Sequence, residues 1–203
     1  MAERLGVLGG TFDPVHVGHL AAAVNARHAL GLDRVLLVVA NHPWQKTERA
    51  ITPAEDRLAM VEAAVADHPG LEASRLEIDR GGDTYTADTL EQLHHEHPDR
   101  ALFLIVGSDV AAELHTWKRP DTVARLATLA VVGRGGAQMW HPRAPWRVEH
   151  VDMPPLAISS SDLRQRHRDG RPLDFLVPEP VINLIRQRGL YAGGTMTTGS
   201  GGR

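Results

Sequence analysis

The stretch Gly9-Gly10-Thr11-Phe12-Asp13-Pro14-Val15-His16-Val17-Gly18-His19-Leu20 limits what this chain can fold into more than any other. It follows the apolar run Leu5-Gly6-Val7-Leu8 and leads into an alanine-rich amphipathic segment, so it reads as strand, glycine turn and helix start. Gly9 and Gly10 let the backbone turn tightly and approach a ligand with no Cβ in the way. The free N–H groups and positive pole of the helix that follows attract anions. His16 and His19, three apart, face one side of a helical turn, and Gly18 leaves that side open. Two imidazoles placed so can donate hydrogen bonds to a phosphate from two directions. A plain strand-helix connection with incidental histidines is the bland alternative, but the full string G-G-x-F-x-P-x-H-x-G-H is far more restrictive than a lone glycine motif. It is neither a Walker loop nor a dinucleotide fingerprint, since it lacks G-K-[ST] and a third spaced glycine.

At 203 residues and 42% hydrophobic, the chain is long enough for one substantial core, and residues 1–192 read as one domain. Residues 193–203 are glycine, serine and threonine with no apolar period, the composition of a disordered tail. No run reaches the length of a membrane span, and a strand starting right after Met1-Ala2-Glu3-Arg4 leaves no room for a signal peptide, so a cytoplasmic protein is expected. The absence of cysteine excludes disulfides, thiol catalysis and thiolate metal sites. A net charge of -3 argues against a general nucleic-acid binder; a bound polyanion must meet local cations.

In chain order, the first helix should stop near Leu30-Gly31-Leu32-Asp33 and be followed by Arg34-Val35-Leu36-Leu37-Val38-Val39-Ala40, a strand buried on both faces. The polar loop Asn41 to Arg49 lies where strand ends of open α/β sheets place ligand contacts, which makes Lys46 a candidate phosphate cation. Thr52-Pro53-Ala54-Glu55 has the form of a capping box opening a helix to about His68, with Arg57 half buried in an ion pair. Leu71 to Asp79 alternates loosely as a strand, and Gly81-Gly82-Asp83-Thr84-Tyr85-Thr86 is a second glycine-threonine turn with Thr86 as N-cap. The histidines His94, His95 and His97 have no metal-ligand spacing and read as a solvated helix end.

Ala101 to Val106 is the most hydrophobic strand, with Gly107-Ser108-Asp109 at its end; Asp109 suits a ribose hydroxyl, a phosphate ligand or a helix cap. His115-Thr116-Trp117-Lys118-Arg119 sets an aromatic plane beside two cations. Thr128 to Arg134 is a fifth strand, Gly135 to Arg147 has no readable pattern, and Arg147 to Val151 suggests a further short strand. Ile158-Ser159-Ser160-Ser161-Asp162-Leu163-Arg164 is the second strong signal: hydroxyls and backbone N–H groups at a helix start, with Arg164 one turn inside able to reach the same anion. A terminal helix spans about Val177 to Leu190. Strands alternating with helices in this way give an α/β fold, a doubly wound, Rossmann-like parallel sheet of about five strands.

The N-terminal string resembles the signature of nucleotidyltransferases with the H-x-G-H motif. Together with Pro43 to Lys46, Gly82 to Leu90, Gly107 to Trp117 and Ile158 to Arg164, it is similar in order and spacing to the bacterial nicotinate-nucleotide adenylyltransferases. That resemblance implies transfer of AMP from ATP to nicotinate mononucleotide, with Mg²⁺ held through the ATP phosphates, in NAD biosynthesis. It implies catalytic roles for His16, His19, Lys46 and Arg164. ATP would meet Gly9, Gly10, Thr11, Phe12, His16, His19, Gly107, Asp109, Ser159, Ser160, Ser161 and Arg164, and the acceptor Thr11, Lys46, Thr84, Tyr85, Thr86 and Trp117. No nucleic-acid or membrane partner is implied, and a homo-oligomer is left open. Adenylylation of nicotinamide mononucleotide or phosphopantetheine, and a non-catalytic nucleotide-binding regulator on the same fold, are the alternatives.

Overall fold

The computed structural model describes residues 2–42, 51–133 and 145–192, so Lys46, most of the unpatterned stretch before Arg147 and the 193–203 tail lie outside the described residues. Six strands form one parallel sheet: β1 (Arg4–Gly10), β2 (Arg34–Val39), β3 (Leu71–Ser74), β4 (Ala101–Gly107), β5 (Ala127–Gly133) and β6 (Val148–Asp152). Their order across the sheet is β3-β2-β1-β4-β5-β6. Five strands were expected; the sixth is the short Arg147 to Val151 run, paired on the edge with β5.

Period-two alternation sorts the strand side chains between two cores. Val35, Leu37, Val39, Phe103, Ile105, Ala130 and Val132 face one core, and Leu5, Val7, Leu36, Val38, Leu102, Leu104, Leu129 and Val131 face the other. The first core is closed by α1 (Val17–Ala29), α2 (Ala54–Val65), α7 (Ser160–Arg168) and α8 (Glu179–Gln187), the second by α4 (Thr86–Glu96), α5 (Ser108–Ala112) and α6 (Pro120–Leu126). This two-sided burial is why β2 and β4 read as continuous apolar runs. At Gly6 a Cβ would stand 2.8 Å from Val35 and 2.9 Å from Leu32, so only glycine lets those neighbours close over β1. Among the described residues no helix is long and apolar enough to cross a membrane.

Three local expectations are corrected. Leu71 to Asp79 is not one strand: β3 pairs β2 over only four residues, Val35 to Val38, and the chain then turns into the short helix α3 (Leu76–Arg80). The reason is tertiary, because Glu77 is drawn into the interior, where the Thr89 hydroxyl of α4 donates to it at 2.5 Å. No capping box opens α2, whose N-cap is Pro53 with no side-chain bond; the Thr52 carbonyl is taken by Arg57 and Glu55 pairs with Arg75. The N-cap of α4 is Tyr85, and Thr86 is its first helical residue.

Candidate active site

In an open α/β sheet a ligand crevice forms at the carboxyl ends of two neighbouring strands whose connections leave in opposite directions. Here those strands are β1 and β4, and the crevice is a cavity of about 410 Å³. Its walls include Gly9, Gly10, Thr11 and His19 from the first turn, Gly107 at the end of β4 and Val110 of α5, Thr84 before α4 and Thr86 at its first position, and Trp117. Four separate predicted segments therefore meet in one place. Glu77 lines the same cavity and carried no functional signal in the sequence.

The first turn is shaped by exclusion. A Cβ on Gly10 would lie 2.9 Å from the Phe12 ring, which is itself buried and held with its backbone in the left-handed region (φ 50°). An aromatic residue adopts that conformation only where packing over-determines it. The Phe12 ring meets His19 edge to face at 5.0 Å, and His19 stacks on His16 with centroids 3.7 Å apart. Gly18 belongs to this stack, since a Cβ there would come within 3.0 Å of His16 Nδ1. The His16 backbone N–H donates to His19 Nδ1 at 3.2 Å, so the neutral His19 ring carries its proton on Nε2.

The two histidines, paired by sequence spacing, are thus unequal. His19 borders the cavity, whereas His16 is 6% exposed behind it as the N-cap residue of α1. Burial pushes the His16 imidazole down to about 4, which keeps it neutral at pH 7.

The serine segment is placed differently from its sequence reading. Ser159 caps α7, accepting from the Asp162 N–H at 3.1 Å and donating to the Asp162 carboxylate at 2.6 Å. The Ser160 hydroxyl donates to the Pro14 carbonyl at 2.9 Å. Arg164 is buried; it donates to the Asp13 carbonyl and to Ser161 Oγ, with the Asp13 carboxylate 3.6 Å away. None of these four borders the cavity: Ser160 and Arg164 grip the Asp13-Pro14 turn, Ser161 accepts from Arg164, and Ser159 caps the helix. Tyr191 closes the same hub by donating to Asp13 Oδ1 at 2.7 Å, and burial followed by the Asp13 charge pushes its phenol well up.

Arg57 is a second correction of role. It is 1% exposed, and its guanidinium donates to three carbonyls, Thr52, Thr11 and Asn41, at 2.8 to 3.0 Å. Burial lowers its pKa. It ties the ends of β1 and β2 to α2, a job that sequence spacing does not reveal because the partners are backbone atoms.

Asn41 carries the link onward. Its N–H donates to Thr84 Oγ1 at 3.1 Å and its side chain to the Gly82 carbonyl at 3.1 Å, while the Thr84 N–H donates to the His42 carbonyl. Gly81 and Gly82, at φ 71° and 68°, supply the left-handed backbone this turn needs. Beneath it Arg80 donates to Thr89, and burial raises the Glu77 pKa against the Thr89 bond that opposes the shift. Trp117 lines the cavity, and the residues after it tie its segment to α4: Lys118 donates to the Tyr85 hydroxyl at 2.9 Å, and Arg119 pairs with Asp88 and Glu91. Tyr85 itself does not line the cavity, and Asp109 is an exposed second residue of α5 that does not cap it.

Among the described residues the walls hold no lysine or arginine, and His19 and Glu77 are their only titratable groups. Donors there are the hydroxyls of Thr11, Thr84 and Thr86, the His19 imidazole, the Trp117 indole and backbone N–H groups, a set suited to orienting phosphoryl oxygens.

The cytidylyltransferase-like family model matches residues 7–166. A probable nicotinate-nucleotide adenylyltransferase of Saccharopolyspora erythraea is 44% identical, aligned over 94% of this chain and 91% of its own length. The probable nicotinate-nucleotide adenylyltransferase of Corynebacterium kroppenstedtii is 45% identical over 93% of this chain and 90% of its own length. In fold, the Plasmodium falciparum nicotinic acid mononucleotide adenylyltransferase complexed with NaAD is similar, with a TM-score of 0.76 at 18% identity, covering 93% of this chain and 97% of that one. By identity sustained over nearly its whole length, this chain belongs to the nicotinate-nucleotide adenylyltransferase family.

Proposed function

We propose that the chain transfers AMP from ATP to nicotinate mononucleotide, giving deamido-NAD and pyrophosphate. The observation that carries this reading is the single cavity joining the H-x-G-H turn to the Thr84–Thr86 turn and Trp117. The acceptor's 5'-phosphate is already a nucleophile at neutral pH. One of its oxygens bonds to the α-phosphorus as the bond to the bridging oxygen breaks and pyrophosphate leaves, so no base is required. Catalysis is then positioning and charge stabilisation. His19 and Thr11 face the phosphoryl group, with Gly9 and Gly10 admitting it closely. His16, neutral and stacked, sets the His19 ring.

In this reading Arg164 and Ser160 act by fixing the Asp13-Pro14 turn, with Ser161 bonded to Arg164 and Ser159 capping α7, and they reach ATP only if that hub opens. Mg²⁺ would be held through the ATP phosphates, without a cluster of metal-holding side chains among the described residues, and would supply charge neutralisation for the leaving pyrophosphate. Among the described residues the walls carry no lysine or arginine, which fits that need, and Lys46 is the proposed further cation.

The acceptor test is selective. Nicotinate presents a carboxylate to the first-turn N–H groups of α4, where nicotinamide presents an amide that also donates. If the carboxylate is favoured by about 3 kcal/mol, kcat/KM favours nicotinate mononucleotide by on the order of 10²-fold. Trp117→Ala weakens both acceptors alike. A ratio near one on the unaltered chain rejects the nicotinate assignment, and no pyrophosphate release with any acceptor, phosphopantetheine included, points to a regulator instead.

A further inference from the structure

The two helices that begin at the acceptor side of the cavity end together at the opposite edge of the sheet. α4 runs from the Thr84–Thr86 turn to His94 in its last turn, and α6 runs from the Trp117–Arg119 segment to Arg125 in its last turn. Between these ends, against the first residues of β4 and β5, lies a second cavity of about 330 Å³. Its polar walls are His94, Arg100, Arg125, Arg147 and Thr128, and among the described residues no carboxylate borders it.

The charges there are unequally matched. Arg100 has a buried side chain (6% exposed) and is satisfied by Glu3, to which it donates through Nε and Nη2 at 2.8 Å. Arg147 makes one bond, to the Arg125 carbonyl at 3.2 Å. The Arg125 guanidinium has no acceptor among the described residues. The carbonyl ends of α4 and α6 oppose this charge by about half an elementary charge each. Among the described residues two guanidiniums, Arg125 and Arg147, have no carboxylate partner, and His94 can donate beside them. Arginine forks facing a concave space in this way match tetrahedral phosphoryl oxygens.

We propose that this cavity is a second anion site, separate from the active site, which takes a small phosphate-class ligand and clamps the far ends of α4 and α6 through His94, Arg125 and Arg147. Inorganic pyrophosphate and orthophosphate fit its volume; a nucleotide would have to leave its base outside. The inference stands on this cavity alone and does not depend on which acceptor the enzyme uses.

The test is calorimetric titration of the full chain with inorganic pyrophosphate, orthophosphate and AMP as separate probes. Unaltered protein should show two classes of pyrophosphate site. Arg125→Ala/Arg147→Ala should lose one, with its Kd raised at least tenfold, while His19→Ala keeps it. Both arginines are solvent-exposed, so the double variant should keep its melting temperature and basal kcat. A lysine pair at the same positions should recover part of the affinity. Saturation with orthophosphate should also slow amide exchange in the last turns of α4 and α6. An isotherm that the double variant leaves unchanged, binding of AMP alone, or slowed exchange only around residues 9–20 would each overturn the proposal.

Discussion

In the proposed reaction the chemistry turns on His19, because of the two histidines it is the one that reaches the cavity, with its proton on the outer nitrogen. His19→Ala should lower kcat by roughly 10²- to 10³-fold with the melting curve unmoved, the loss expected when one preorganised donor to developing charge is removed; a change of only a few-fold would show that the ring is a bystander. His16 has a different signature, in pH. Its imidazole titrates near 6.5 when unfolded and at about 4 in the fold, so between these values the unfolded chain binds more protons. The associated stability is full above pH 6.5 and is lost as pH falls toward 4, by about 3 kcal/mol at most. Glu77, with its pKa raised, acts with the opposite sign. Comparing urea midpoints of the unaltered chain and His16→Gln from pH 7 to 4.5 cancels Glu77 and other shared groups. The slope should be shallower in the variant, and equal slopes would show that His16 is not buried neutral.

At the scale of the element, α1 and the α3–α4 pair show local preference yielding to site geometry. Alanine is a better helix former than glycine by about 1 kcal/mol, yet at position 18 a Cβ would press on His16 Nδ1. Gly18→Ala should therefore leave the melting temperature within a few degrees of its starting value while kcat falls at least tenfold, as the stack shifts; unchanged kcat would show that the stack does not set His19. Glu77 staples α3 to α4 under the acceptor turn through Thr89. Removing it in Glu77→Ala should raise KM for the mononucleotide several-fold more than KM for ATP, with Glu77→Gln recovering most of the difference because its amide oxygen still accepts from Thr89. Equal effects on both substrates would place Glu77 in general stability instead.

Across the whole molecule, residues far apart in sequence hold the phosphate turn. Asp13 is gripped by Arg164 and Tyr191, 151 and 178 positions away, and α8 is tied to α2 by Arg188 and Asp56 at 2.5 Å. The Arg188 pair is partly exposed and contributes about 0–1 kcal/mol. The Tyr191 bond is to a buried carboxylate, and its loss in Tyr191→Phe should cost about 1.5–3 kcal/mol, measured by urea unfolding. Deletion of residues 193–203 spares Tyr191, and its stability should match that of the full chain. A Tyr191→Phe midpoint equal to the parent's would remove Tyr191 from the hub.

Features written in nearest-neighbour chemistry and short periods are legible in the residues alone. The doubly buried runs of β2 and β4, the turn glycines before α1 and α4, the stop at Gly31 and the alternating order of strands and helices are such features, and so is the meeting of Gly9–Thr11, Gly107, Thr84–Thr86 and Trp117 at one sheet edge. Tertiary structure decided what depends on a distant partner. It split the expected strand at Ser74 because Glu77 had Thr89 to meet, and it buried Arg57 against three carbonyls that no residue pattern encodes. It also turned Ser160 and Arg164 onto the Asp13-Pro14 turn and placed His16 behind His19, since a helix start offers hydroxyls and imidazoles two directions to face. Burial chooses between those directions, and burial exists only once the sheet and its helices have assembled.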